Sequence, residues 1–109
     1  MKTRLPEPLA SYYAAVNARD NERALGLFAE DAVVKDEGKE HRGRDAIRSW
    51  MHETTRKYGP IAVEPTAAAE NGRVTIVTST VSGDFKGSPA HLRYTFTLEQ
   101  QSIARLEIG

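Results

Sequence analysis

The stretch Phe28-Ala-Glu-Asp-Ala-Val-Val-Lys-Asp-Glu-Gly38, continued by Lys39-Glu-His-Arg-Gly-Arg-Asp-Ala-Ile47, decides the fold. Its pattern predicts a helix that ends before Asp31 and a short β-branched strand over Ala32-Val33-Val34. A Glu37-Gly38 turn then follows directly behind Asp36. Gly43 opens a second amphipathic helix. This order sets one carboxylate, Asp36, at the end of a strand, where a cavity between helices and sheet can hold it.

Upstream, residues 6–19 predict a helix, because Leu9, Tyr12, Tyr13 and Val16 recur at the spacing of one apolar stripe. Pro6 and Pro8 suit its entry. Asp20 is the expected N-cap of a short second helix with Ala24, Leu25 and Phe28 turned inward. Residues 44–58 carry the longest helical pattern: Ile47, Trp50, Met51, Thr54 and Tyr58 share a face, and Arg48, His52 and Arg56 lie on its solvent flank. Gly59-Pro60 stops it, since a glycine past the last turn and a proline cannot continue a helix.

Downstream the period changes to two. Ile61 and Val63 alternate, and Pro65 marks an edge strand or a bulge. Asn71-Gly72 predicts a type I′ hairpin turn with positive φ at both residues. In the next strand, residues 73–82, Val74 and Ile76 share one face and Val77 and Val81 the other. Gly83–Pro89 reads as a loop, either a hairpin connection or a lid. Leu92, Tyr94, Phe96 and Leu98 then alternate with His91, Arg93, Thr95 and Thr97, and Gln100-Gln101-Ser102 turns into a last strand, Ile103–Ile108. Helices first and an antiparallel meander after give an α+β layout, helices packed on one face of a curved sheet.

The chain has 109 residues, the size of one domain, so residues 1–109 are read as a single unit. Fifteen basic and fifteen acidic residues cancel, so no net field favours nucleic acid or an anionic membrane. Cysteine is absent, which excludes disulfides, thiol catalysis and thiolate metal sites. The segment Met1–Glu7 lacks the apolar run of a signal peptide, and no stretch approaches a membrane span. A soluble cytoplasmic protein is the expectation, with no nucleic-acid and no membrane partner.

Tyr12-Tyr13, Asn17-Ala-Arg-Asp20, Phe28-Ala-Glu-Asp-Ala-Val33, Asp36-Glu-Gly38 and Gly43-Arg-Asp-Ala-Ile47 together resemble the nuclear transport factor 2-like superfamily, and within it the SnoaL-like and ketosteroid isomerase-like group. The resemblance implies a cone-shaped α+β barrel of the cystatin-like kind. It also implies a cofactor-independent isomerase or cyclase that moves a proton on a small apolar carbonyl compound. The same fold hosts hydrolases, dehydratases and non-catalytic small-molecule binders or accessory proteins.

By that resemblance Asp36 matches the general base, which works best with its pKa raised by apolar surroundings. Tyr12 matches the donor to the developing oxyanion. The tyrosines that support it in relatives are replaced by Phe28 and Met51, which carry no donor. The second oxyanion donor falls near Tyr94. His41, close to Asp36, is a candidate to orient or protonate a ligand. Tyr13, Phe28, Trp50, Tyr58, Phe85 and Tyr94 are the expected pocket wall, since ligand cavities are mostly apolar with few polar groups.

Each of these residues also has a plainer reading. Asp36-Glu-Gly38 suits a surface turn, the aromatic residues suit a core, and His41, His52 and His91 suit solvent. No histidine has a partner at metal-ligand spacing, so no metal and no cofactor are expected. Arg93, Thr95 and Thr97 make one strand face too polar for a core and too β-prone for a random surface. A homodimer through that outer sheet face follows as an expectation.

Overall fold

Four short turns and two helix stops set the element boundaries in the computed structural model, which describes residues 4–109. The reading of Met1–Glu7 as no signal peptide falls partly on residues 1–3, outside the described residues. Helix α1 spans Leu9–Asn17 and α2 spans Asn21–Leu25. Strands β1 (Phe28–Asp36) and β2 (Lys39–Arg42) form a hairpin, followed by α3 (Arg44–Tyr58). Strands β3 (Ile61–Asn71), β4 (Val74–Gly83), β5 (Ala90–Glu99) and β6 (Ser102–Ile108) complete the chain.

The helical punctuation was legible. The Asp20 side chain caps α2 by accepting from the Arg23 N–H at 3.1 Å. Gly43, at φ 87°, stands at the N-cap of α3, and its N–H bonds the Ala32 carbonyl at 2.8 Å. Gly59, at φ 73°, ends α3.

Several boundaries differ from the expectation: α1 covers Leu9–Asn17 rather than residues 6–19, β1 covers Phe28–Asp36 rather than Ala32-Val33-Val34 alone, and Lys39–Arg42 forms a strand with no sequence signal of its own. Phe28 is not on α2; it opens β1, because α2 closes after Leu25 and the Leu27 carbonyl already accepts from the Ile103 N–H at 2.9 Å. The backbone there pairs with a distant strand, and this outcompetes the local helical pattern.

The six strands run in the order β2-β1-β6-β5-β4-β3. Every pairing is antiparallel except β1 with β6, which is parallel, so the sheet is mixed rather than wholly antiparallel. Four successive strands after α3 bring β6 back beside β1 in the same direction. The sheet curves without closing, and the helices cover its concave face, an α+β cone.

Pro65 sits on edge strand β3 beside a bulge between Pro65 and Ala67, so both readings of that proline hold. The β3–β4 turn differs from the expected type I′: its central residues are Gly72 and Arg73, and only Gly72 has positive φ, 62°. The hairpin therefore carries the φ signs of a type II′ turn. Two-residue turns with positive φ at both positions occur instead at Glu37-Gly38 and at Gln100-Gln101.

The core lies between α1, α3 and the inward residues of the sheet. Leu9, Phe28, Val34, Ile47, Val77, Phe96, Ile103 and Leu106 have no solvent exposure. Tyr12 meets Phe28 and Phe96 edge-on at centroid distances of 5.7 and 5.6 Å, a favourable aromatic geometry. On β4 the expected division holds: Val77 and Val81 are buried and Ile76 is exposed.

Asn17 joins helix to sheet edge. Its side-chain amide donates to the Val63 carbonyl at 2.8 Å and accepts from the Val63 N–H at 2.7 Å. One asparagine thereby replaces the missing neighbour strand at that point of β3.

Candidate functional site

Asp36 is the last residue of β1, and the turn behind it aims the chain back along β2. Val34 and Asp36 lie on one face of the strand, and Val34 is fully buried, so Asp36 points toward the helices rather than away from them. Helix α3 crosses this face and brings Trp50 over the strand end. The Trp50 indole N–H donates to Asp36 Oδ2 at 3.0 Å.

A cavity of about 660 Å³ opens beside this pair, within the size range of ligand sites. Its wall includes Asp36, Tyr12, Trp50, Tyr58, Phe85 and Tyr94. Much of the remainder is aliphatic, with Val16, Met51, Val63, Val81, Leu92 and Ile108 among the lining residues.

Half-burial in this apolar wall pushes the Asp36 carboxyl above the usual aspartate value, and the neighbouring Glu37 charge adds to the rise. The Trp50 hydrogen bond, the Glu37 backbone and His41 pull the other way without cancelling it. A carboxylate tuned upward in this manner is a stronger base than a solvated aspartate.

The two candidate donors stand in the same wall. Burial first, and then nearby charge including that of Asp36, raises the Tyr12 and Tyr94 hydroxyls above the ordinary tyrosine value, so both remain protonated. No buried side-chain polar atom lacks a partner among the described residues, and neither hydroxyl takes part in a side-chain hydrogen bond there. Both O–H groups are therefore open to the cavity and free to donate.

Tyr13 and Phe28, expected in the pocket wall, lie elsewhere. The Tyr13 hydroxyl is satisfied by Ser79 Oγ at 2.8 Å in the buried layer, which turns it away from the cavity. Phe28 is packed in the core against Tyr12 and has no exposed surface. Met51, at the other position that lacks a tyrosine, does line the cavity.

His41 is absent from the main cavity. It lines a smaller hollow of about 300 Å³ on the outer side of Asp36 and Trp50, together with Lys39, Glu53 and Lys57. Its ring centroid is 6.3 Å from that of Trp50. His52 is exposed on α3, and the His91 ring meets Thr80 Oγ1 at 3.2 Å on the outward face of the sheet.

At the cavity rim the Tyr58 hydroxyl donates to Glu37 Oε1, and Lys57 Nζ reaches the same oxygen at 3.1 Å. These two bonds hold the Glu37 carboxyl below its usual range. The Tyr58 ring meets Phe85 edge-on at 5.6 Å, so the Asp84–Pro89 connection between β4 and β5 leans on α3.

The aliphatic wall and the indole bond to Asp36 had no sequence signal of their own. Alternation identifies the inward residues of a strand, but not which of them meet a helix and which meet open space.

The SnoaL-like domain model matches residues 9–106. A proposed polyketide cyclase from Sinorhizobium meliloti is 38% identical, with 96% of this chain and 95% of that chain covered and a TM-score of 0.91. A Catenulispora acidiphila protein with a ketosteroid isomerase-like fold, crystallised with trimethylamine, is 21% identical over 97% of this chain and 86% of its own, with a TM-score of 0.85. TerC, co-crystallised with polyporic acid, is 19% identical over 93% of this chain and 86% of its own, with a TM-score of 0.81. A search of curated proteins returns no match. A matched model over most of the chain and a relative at this identity agree with the cone and its element order, and the chain belongs to the SnoaL-like domain family.

Proposed function

We propose that the protein is a cofactor-independent proton-transfer enzyme of the isomerase or cyclase kind, acting on a small apolar carbonyl compound held in the main cavity. The observation that carries this reading is a base and two neutral donors facing one apolar space: Asp36 raised by burial, with the Tyr12 and Tyr94 hydroxyls open to the cavity. The relation to a proposed polyketide cyclase is in keeping with it.

In the proposed reaction Asp36 takes a proton from a carbon beside the carbonyl. The C–H electron pair moves into the new carbon–carbon double bond, and the carbonyl π pair moves onto oxygen. Tyr12 or Tyr94 donates a hydrogen bond to that oxyanion. Where the substrate carries a β,γ-double bond, the resulting dienolate regains the proton at the γ-carbon, an isomerisation. Otherwise the enolate α-carbon attacks a second carbonyl within the same molecule and the new alkoxide takes the proton, a cyclisation. In either case Asp36 returns its proton, so no external acid, oxidant or metal enters the balance. His41, in the outer hollow, acts on Asp36 through its charge rather than by touching the substrate.

The test is exchange of the acidic C1 protons of 2-tetralone for deuterium, followed by NMR in D₂O. Exchange above the buffer rate with the native protein, falling to the buffer rate in Asp36→Asn, supports the reading. A native rate equal to buffer, or an undiminished rate in Asp36→Asn, overturns it. Ligand binding with no exchange would leave the alternative, a non-catalytic small-molecule binder.

We further propose a homodimer through the outer sheet face. On that face Ile76, the exposed large hydrophobic residue among those described, stands opposite Thr95, and Thr78 stands opposite Arg93. A monomer by light scattering at micromolar concentration would exclude it.

A further inference from the structure

Two cations line the main cavity, Arg19 on the α1–α2 connection and Lys86 on the β4–β5 connection. Both are exposed, and neither forms an ion pair among the described residues. Arg19 makes one weak bond from Nη1, to the Asn17 carbonyl at 3.3 Å, which leaves most of its donor fork unused. Asp36 stands in the wall at the end of β1, and Glu37 beside it is already paired with Lys57 at 3.1 Å. Arg19 and Lys86 bring positive charge to the same cavity from two separate connections.

Resting on the reading of the cavity as a carbonyl-compound site, we infer that its ligand carries a carboxylate arm, held at the rim by Arg19 and Lys86 while the apolar body lies inward. Repulsion from Asp36 fixes the orientation: a carboxylate directed inward would meet like charge at a half-buried aspartate. A guanidinium fork matches a carboxylate in geometry, and Lys86 adds a second point charge on a loop that already packs on α3 through Phe85. At a solvated rim the gain is modest, and its larger effect is to select one of two insertion directions.

The experiment compares two probes with one apolar body, 2-naphthylacetate and 2-(2-naphthyl)ethanol, by calorimetry at low ionic strength. The native protein is expected to prefer the acid by about five-fold, the scale of exposed charge pairs. Added sodium chloride should shrink the preference. Arg19→Gln/Lys86→Gln should abolish it while leaving the alcohol's affinity unchanged, and Arg19→Glu/Lys86→Glu should reverse it. The indole N–H resonance of Trp50, the single tryptophan, should move with both probes if both bodies lie beside Asp36. Equal affinities, or a preference that survives in the glutamine variant, would overturn the carboxylate arm and leave the cavity reading standing. Binding of neither probe would count against both.

Discussion

The indole N–H of Trp50 donates to Asp36 Oδ2 across 3.0 Å, tying the centre of α3 to the last residue of β1. The bond fixes which carboxylate oxygen faces the indole. It also stabilises the charged form, against a desolvation that favours the neutral one. Burial makes the candidate base more basic, and Trp50, which does no chemistry itself, moderates that rise and holds one carboxylate oxygen.

Trp50→Phe removes that donor and keeps most of the packing. The Asp36 pKa should rise further from its already raised position, as read by carboxyl ¹³C titration. Any 2-tetralone exchange activity should shift its acidic limb, where the base becomes protonated, to higher pH with it. A pKa that stays or falls would show that the indole bond does not tune the base.

Asp36 should cost the fold stability when ionised. Its native pKa lies above the unfolded value, so the native state binds the proton more tightly. Its contribution is therefore most favourable at low pH and is lost as pH rises from the ordinary aspartate value through the raised one. Asp36→Asn should flatten that part of the Tm–pH profile. At pH 7 it should stabilise by roughly 0.5 kcal/mol, discounted for partial exposure, or about 2–4 °C. Thermal melts between pH 3 and 8 decide it, and a variant less stable than native at pH 7 contradicts the sign.

Asn17→Ala strips both hydrogen bonds from the Val63 backbone at the sheet edge. The expected loss is about 1–3 kcal/mol, because an N–H and a carbonyl of β3 lose their partner. Urea unfolding should show a lower midpoint at unchanged slope, and the Val63 amide should exchange faster with solvent. An unchanged midpoint would mean that water replaces the side chain at no cost.

Gln100 and Gln101 hold φ values of 49° and 67°, a conformation in which side chains are strained. Replacing them with Asn-Gly supplies residues that favour a type I′ turn. The gain should be roughly 1 kcal/mol, seen as a higher urea midpoint. Loss of stability would show that the glutamine side chains contribute more than the turn strain costs.

Local chemistry determined a good part of this protein from sequence alone. Helix α3 was readable to its ends because Gly43 and Gly59-Pro60 act within a turn of the residues they stop. The alternation of β4 and β5 was readable because side chains on a strand change face at every step. Asp36 was visible as a carboxylate ahead of a tight turn, and Tyr12 and Tyr94 as inward aromatic residues.

What failed in the reading was non-local. Phe28 left the helix for β1 because β6, some seventy-five residues later, offers its backbone there. No local pattern records a parallel partner. Tyr13 and Tyr12 are neighbours of one type on one helix, yet Ser79 claims the first and the cavity receives the second. The same holds at the site: the sequence supplied an acid at a strand end, and only the crossing of α3 over β1 gave it an indole donor, an apolar wall and a raised pKa. Desolvation and hydrogen bonding depend on what surrounds a group in space, so they are decided when the elements pack.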